Sequence, residues 1–419
     1  MKVSVVGLGV EGKKAIKSLL EHGYEVYGTD LSLDVDISDI VKYGEEKSDG
    51  VNLKSKLLTI DLGINDIDKI LSSDGILISP GLWETKLANK LKSNKLISDI
   101  LIKHKSLPTI GITGTNGKTT TVLMLKEILE RSGKKVLVGG NGGGGFSGYC
   151  DLILKAEENQ YDLMIVEVCD MTLNFTDDIF NFNTIGLTNV GDDHIDIHGS
   201  IHQYKDSLLK FFKNKTVFIN RNEEFKNKVE KIAKKVFYYN ESTINLKLFG
   251  KFNRLNAGLA ISIAKYLNID YKIIKQSLEN FQDIAGRLKL INLENSKVFI
   301  GKTDNVHATE SILNEIKDLD IAFIGTSRPH ETHRLNILNT IIKHDPKKII
   351  LFKGLNDSFD LSLKRLKTLN YKGEIIVSNS NEETLNLILK FDKNNNNIFI
   401  GGNGQEAIIE IQKLLKYIG

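Results

Sequence analysis

Cysteine is nearly absent: Cys150 and Cys169 are the only two in 419 residues, and neither belongs to a paired spacing. A disulfide framework and a cysteine-held zinc site are thereby excluded, and a reducing compartment suits the chain. Also missing is any apolar run approaching the ~20 residues that span a bilayer. The apolar stretch 3–10 is short, glycine-interrupted and runs into Glu11-Gly12-Lys13-Lys14, which makes it a first strand and turn instead of a signal core. A cytoplasmic protein with no membrane contact is the expectation. Nor does one charge dominate. The net charge is +3 and the lysines alternate with acids, so no basic face offers itself to nucleic acid. No internal repeat of ~20–50 residues recurs. What is present is ordinary for a globular chain, 41% hydrophobic and 26% charged, and long enough for roughly two to four domains.

Short β-branched runs alternate with helical stretches almost throughout, the pattern of parallel sheets covered by helices, an α/β fold. Three parts are predicted, with boundaries at 1–105, 106–284 and 285–419. The first opens with a strand over 2–6, a glycine-rich turn, a helix over 11–22 and a second strand ending at Asp30; a later strand stops at Ser79-Pro80-Gly81. The second begins after Leu107-Pro108 with a strand, a helix over 118–131 closed by Gly133, and strands near 136–138, 163–168 and 184–187. Helices are expected over 253–267 and 271–281. The third carries apolar runs at 298–300, 321–324, 348–352, 374–377 and 397–401, then a closing helix over 405–417. The asparagine run 394–397 is expected at an exposed loop tip, because asparagine tolerates left-handed turns.

The strongest chemical signal is Thr113-Gly114-Thr115-Asn116-Gly117-Lys118-Thr119-Thr120. A strand delivers the chain, glycines let backbone N–H groups turn inward, and a helix starts with its positive end towards an anion. Lys118 supplies a compact charge to terminal phosphates, and the Thr119 hydroxyl can ligate magnesium. Only Thr115 and Asn116 separate Gly114 from Gly117-Lys118, two residues fewer than in the general phosphate loop. ATP and Mg2+ are the cofactors this implies.

A second glycine-rich turn, Gly7-Leu8-Gly9-Val10-Glu11-Gly12, also joins a strand to a helix, and Asp30 ends the next strand about 20 residues on. Taken alone it suggests a nicotinamide dinucleotide. Physically, it specifies only a diphosphate held against backbone and helix end. A nicotinamide-dependent enzyme or redox sensor therefore stands as one alternative.

The wording TGTNGKTT and several segments downstream resemble the Mur ligase family of ATP-dependent cell-wall peptide ligases, over the whole chain and in the same three-part order. The resemblance implies an N-terminal Rossmann-like domain, a central P-loop ATPase domain and a C-terminal Rossmann-like domain. It also implies an amide-forming enzyme in which ATP activates a carboxylate as an acyl phosphate and an amine then attacks. Glu167 in IVEV and His194 in TNVGDDHID match family positions that, with Thr119, hold the metal. Asn253 and Asn256 in KFNRLNAG match the pair near the adenine. Arg287 in AGRL matches the arginine that meets the terminal phosphate, so Lys118, Arg287 and His194 are the expected catalytic residues. Asp304 in TDNVHATES would hold the ribose, with His307 in the same segment. In several family members a similar first domain holds the UDP group of the precursor, which favours that reading for Gly7, Gly9, Gly12, Asp30, Ser79, Pro80 and Gly81. Asn141, in the run of six glycines and one asparagine at 139–145, stands near the expected site of the reacting carboxylate. A flexible connector is the other reading of that run.

The departures are specific. Most of the family carries a lysine four residues after a tyrosine, carbamoylated to bind a second magnesium. Here Tyr204 is followed at that spacing by Leu208, which cannot ligate a metal. Lys205, one turn back on the same face, could substitute, but a site without the carbamate is the favoured reading. Phe252, Thr309, Asn403 and Gln405 also replace usual family residues. Together these point away from the ordinary bacterial glutamate- and alanine-adding enzymes, towards a divergent branch such as the archaeal pseudomurein peptide ligases. The expected substrates are a UDP-linked precursor and a free amino acid, handled by a monomer. A folylpolyglutamate or other poly-amino-acid ligase shares the ATP centre and is a further alternative, although the folate enzymes usually lack a domain such as 1–105. Loops 327–334 and 356–358 follow strands of the third part but carry no recognisable amino-acid signature.

Overall fold

Runs of valine, isoleucine and leucine buried on both faces can satisfy their backbone only inside covered parallel sheets. The computed structural model, which describes residues 1–41, 52–54, 57–191, 200–282, 284–329 and 331–416, contains three such sheets.

The first sheet comprises β1 (Lys2–Val6), β2 (Glu25–Asp30), β3 (Asn52–Lys54), β4 (Leu58–Leu62) and β5 (Gly75–Ile78), in the order β3-β4-β2-β1-β5. All its pairs are parallel except the edge pair β3–β4. Helix α1 (Val10–Glu21) buries Ala15, Ile16 and Leu19 along one face. It can start directly on the turn because Gly12 presses on the Gly7 carbonyl, where a Cβ would come within 1.9 Å.

The central sheet is β6 (Thr109–Thr113), β7 (Val136–Gly140), β8 (Leu163–Glu167), β9 (Phe182–Leu187), β10 (Thr216–Asn220) and β11 (Lys235–Tyr239), ordered β11-β10-β9-β6-β8-β7 and parallel throughout. Helix α2 (Lys118–Arg131) follows β6, α3 (Tyr149–Glu158) follows β7, α4 (Ile201–Phe212) leads into β10, and α5 (Lys251–Tyr266) packs against α2. The third sheet joins β12 (Lys289–Asn292), β13 (Lys297–Ile300), β14 (Ile321–Gly325), β15 (Lys348–Phe352), β16 (Glu374–Ser378) and β17 (Asn397–Gly402) in the order β12-β13-β17-β14-β15-β16, with β12 antiparallel. Helices α6 (Val306–Leu313) and α7 (Gln405–Lys416) belong to this part.

The first and central parts share one hydrophobic core. Val6, Ile78 and Trp83 from one side pack with Tyr149, Ile153 and Phe175 from the other. Trp83 meets the Phe175 ring edge-on at 4.9 Å, and its Nε1 donates to Asp178 at 2.8 Å. The third part docks through the Phe249–Phe299 ring contact at 5.1 Å. Within the third part, Gln412 of α7 fixes the segment that carries Arg287: its Oε1 accepts from Gly286 N, and its Nε2 donates to the Arg287 and Ile300 carbonyls, at 2.8–3.0 Å.

Two sequence expectations change or sharpen here. The glycine run is not a loose connector: β7 extends to Gly140, and Gly142–Gly144 form a 3-10 turn capped by Asn141. Side chains from all three parts hold it, as described below. In the asparagine run, Asn394 and Asn395 sit at an exposed turn as expected, with Asn395 at φ 53°, whereas Asn396 is half-buried and Asn397 already begins β17. Strand β12 shows no clear apolar alternation in sequence because its residues are half-buried or exposed.

Candidate functional site

The phosphate loop leaves the fully buried β6 and enters α2 through Gly117, whose φ of 85° lies in the left-handed region. A Cβ there would also come within 2.2 Å of Asn256 Oδ1, so both backbone conformation and space demand glycine. Lys118 curls back so that its ammonium donates to the Gly114 and Thr115 carbonyls at 2.6 and 2.8 Å.

Asn189, at the end of β9, braces the loop from the side. Its Oδ1 accepts from Asn116 N at 3.1 Å, its Nδ2 donates to Asn116 O at 2.8 Å, and its own carbonyl accepts from Thr115 N at 2.9 Å. Thr115 Oγ1 accepts from Gly191 N at 2.9 Å. From the third part, Asn305 exchanges amide hydrogen bonds with Asn116 at 3.0 and 3.2 Å, and His307 Nδ1 lies 3.2 Å from Asn116 Nδ2.

Beside the loop opens a cleft lined among others by Gly117, Thr120, Phe252, Asn256, Arg287 and Ser311. Its apolar walls with a few amide groups suit a base. Asn253 and Asn256 lie in the first turns of α5 and are buried. Asn256 Nδ2 donates to Asn253 Oδ1 at 3.3 Å, while Asn253 Nδ2 is fixed on the Phe249 carbonyl at 2.6 Å. Phe252 contributes a wall.

Arg287 reaches across from the start of the third part. Its Nη2 donates to Thr119 Oγ1 at 2.7 Å and to the Gly144 carbonyl at 3.0 Å. Glu167 ends β8 with its carboxylate buried; Oε1 accepts from Asn141 Nδ2 at 3.0 Å, whereas Oε2 is buried without a hydrogen-bond partner among the described residues. A buried anionic oxygen left unpaired is costly. Together with a threonine hydroxyl at the head of α2, it is a donor set that fits a hard, oxygen-seeking cation such as Mg2+. Among the described residues no three His, Cys, Asp or Glu side chains form a separate metal cluster. His194 lies outside the described residues.

Asp304, expected at the ribose, is held by two cations. Its Oδ2 receives Arg334 at 2.6 Å and Lys302 at 3.2 Å, and it is not among the residues lining the cleft. Burial alone would raise this carboxyl, but the two cations outweigh it and hold it well below the usual carboxylate range. Arg334 also donates to Asn403 Oδ1 at 3.0 Å, which gives Asn403 a partner that a plain turn would not need.

Leu208 is fully buried in the shared core with Tyr204, Phe211 and Phe212. Lys205 pairs with Glu224 at 3.4 Å and lies over the Phe225 ring. A charged lysine at 208 would have to enter an aromatic core, which costs several kcal/mol unless paired.

In the first part, Gly7 and Ser79 adjoin at the carboxyl ends of β1 and β5. Pro80 and Gly81 begin a short 3-10 turn. The Asp30 carboxylate accepts from Leu8 N at 2.6 Å and from Ser32 N at 2.9 Å, closing over the turn that contains Gly9. Asn189, Asn305 and Glu11 escaped the sequence reading as site residues. Asn189 opens the segment that yielded His194, and Asn305 follows Asp304, but nothing in the one-dimensional pattern links either to the phosphate loop.

A family profile described as the Mur ligase middle domain matches residues 112–243. The UDP-N-acetylmuramoylalanine–D-glutamate ligase of Buchnera aphidicola subsp. Acyrthosiphon pisum is 26% identical over 414 residues, which cover 90% of this chain and 89% of that protein. Among solved structures, a pseudomurein peptide ligase type C from Methanothermus fervidus aligns over 99% of both chains, with a TM-score of 0.59 and 20% identity. E. coli FolC in complex with DHPP and ADP aligns over 77% of this chain and 92% of its own, with a TM-score of 0.61 and 14% identity. With the α/β architecture and the phosphate loop already in place, these likenesses identify the chain as a member of the Mur ligase family, ATP-dependent ligases that form amide bonds and release ADP.

Proposed function

We propose that this enzyme adds an amino acid to the carboxylate of a UDP-linked cell-wall peptide precursor through an acyl phosphate, in the synthesis of pseudomurein. The observation that carries the reading is the bond from Arg287 to Thr119 at the head of α2, with Glu167, whose Oε2 has no partner among the described residues, on the strand paired with the one that feeds the phosphate loop. That arrangement suits phosphoryl transfer, in which positioning and charge stabilisation do most of the work.

In this reading residues 1–105 take the precursor, 106–284 take ATP, and 285–419 take the amino acid. Thr119 and Glu167 hold Mg2+, joined by His194 on the strength of the resemblance; the ion supplies charge neutralisation at the transferring phosphates. On ATP binding, Lys118 exchanges its loop carbonyls for phosphate oxygens. Arg287, tethered through Gln412, brings a planar cation to the γ-phosphate. Asn256 and Asn253 offer amide groups to the adenine. No carbamoylated lysine takes part, since Leu208 is core and Lys205 is paired elsewhere.

The pseudomurein branch is supported by the full-length likeness to the Methanothermus fervidus ligase together with the departures at Leu208, Phe252, Thr309, Asn403 and Gln405. The test is ADP release with a panel of UDP-linked precursors and amino acids, with the product weighed by mass spectrometry. A mass gain of one residue on one precursor is expected. ATP turnover indifferent to every amino acid defeats the reading, and extension of a folate instead of a UDP precursor moves it to the folylpolyglutamate class. Titration with NADH against UDP-sugars checks the first domain.

A further inference from the structure

The glycine run and its flank are held by side chains from all three parts of the protein: Glu11 and Lys14 from the first, Glu167 from the second and Arg287 from the third. Gly142 N donates to Glu11 Oε1 at 2.6 Å, and Tyr149 N to Glu11 Oε2 at 3.3 Å, a bridge spanning 131 residues of sequence in the first case. Lys14, one turn along α1, donates to the Phe146 carbonyl. On the far side of the run, Asn141 grips Glu167 twice: its Nδ2 donates to Oε1 and its backbone N to the Glu167 carbonyl, both at 3.0 Å. Asn141 Oδ1 meanwhile accepts from Gly143 N at 3.1 Å, so the turn and the amide orientation are coupled. The packing leaves no slack, because a Cβ on Gly144 would fall 2.0 Å from Glu167 Oε1.

We propose that Glu11 is a positioning residue for the metal carboxylate: by anchoring Gly142 it fixes the Asn141 cap, and Asn141 fixes the Glu167 oxygen pair. Glu11 stands in the first turn of α1, beside the glycine-rich turn of the first domain. The relay therefore joins the precursor domain to the phosphate-transfer centre through a single carboxylate. Groups that orient a metal ligand from behind typically change metal affinity by about 10- to 100-fold when removed. The inference rests on the reading in which Glu167 holds the metal.

The test is Mn2+ binding, followed by electron paramagnetic resonance, to the full-length protein saturated with the ATP analogue AMP-PNP. Nucleotide affinity in EDTA and thermal midpoint report whether each variant is folded. Glu11→Ala is expected to weaken Mn2+ by about tenfold, with nucleotide affinity in EDTA unchanged. Glu11→Gln, which keeps an acceptor for Gly142 N, is expected to retain most of the wild-type affinity. In an Asn141→Ala background, Glu11→Ala is expected to add nothing further. Unchanged Mn2+ affinity in Glu11→Ala, a Gln variant as weak as the Ala variant, or additive losses in the double variant each overturn the relay. Glu167→Ala is the control: if it leaves Mn2+ binding intact, the metal assignment and the relay fall together. If it abolishes binding while Glu11→Ala does not, the relay alone fails.

Discussion

Removing the Asn189 side chain tests how the phosphate loop is held. Asn189→Ala deletes an acceptor for Asn116 N and a donor to Asn116 O. Each neutral hydrogen bond contributes ~1 kcal/mol net, so the two together contribute about 2 kcal/mol. If the loop must be ordered to bind nucleotide, that energy appears in the dissociation constant, at ~1.4 kcal/mol per tenfold, as an approximately 30-fold weakening. Asn189→Asp separates the geometry from the mere presence of a side chain. It keeps an acceptor for Asn116 N but turns an oxygen towards the Asn116 carbonyl, and it adds a negative charge near the phosphates. The expected order of ADP affinity by calorimetry is wild type, then Asn189→Ala, then Asn189→Asp. An alanine variant within about twofold of wild type would refute the brace, given the ~2 kcal/mol it should forfeit. So would an aspartate variant that binds better than the alanine one.

Gly144→Ala places a methyl group 2.0 Å from Glu167 Oε1; ligase turnover is expected to fall by about 10- to 100-fold, and an active variant with an unmoved Glu167 in a crystal structure counts against the metal role. Asp304→Asn removes the carboxylate charge that pairs with Lys302 and Arg334, so the thermal midpoint at neutral pH should drop. Because the folded Asp304 carboxyl lies below its ordinary value, its contribution is full above the ordinary carboxylate range and is lost only as pH falls through the lowered value. The gap between wild-type and variant midpoints should therefore persist through mild acid; a gap that closes near the ordinary carboxylate value contradicts the ion-pair account. Lys205→Ala removes an exposed ion pair to Glu224, worth ~0–1 kcal/mol, and should leave ATP-dependent ligation within about fivefold by the same reckoning. A collapse of activity restored by a short-chain carboxylate such as acetate, standing in for the lost carbamate, would instead reveal a carbamoylated Lys205.

The phosphate loop, the strand–helix alternation and the three-part order were legible because each rests on local chemistry. Glycines are forced by positive φ or close approach, a lysine and a threonine stand at a helix start, and apolar runs are short enough to be strands. The glycine run at 139–145 was legible as unusual but not as ordered, because its rigidity comes from Glu11, Glu167 and Arg287, which are remote in sequence. Leu208 was legible as a missing ligand. That its side chain completes an aromatic core emerged only from the packing around α4.

The sequence by itself determined the family chemistry, since a phosphate-binding turn is built from consecutive residues whose backbone conformations are set locally. Tertiary structure decided which side chains serve that turn. Asn189 braces it, Asn305 latches it to the third domain, Arg287 reaches Thr119, and Glu11 tethers the loop behind Glu167. It also brought Arg334 onto Asp304. These contacts join residues tens to more than a hundred positions apart, through side-chain hydrogen bonds that depend on distances of a few tenths of an ångström. No periodicity or spacing along the chain encodes such distances. Only the packing of the three sheets against one another fixes them.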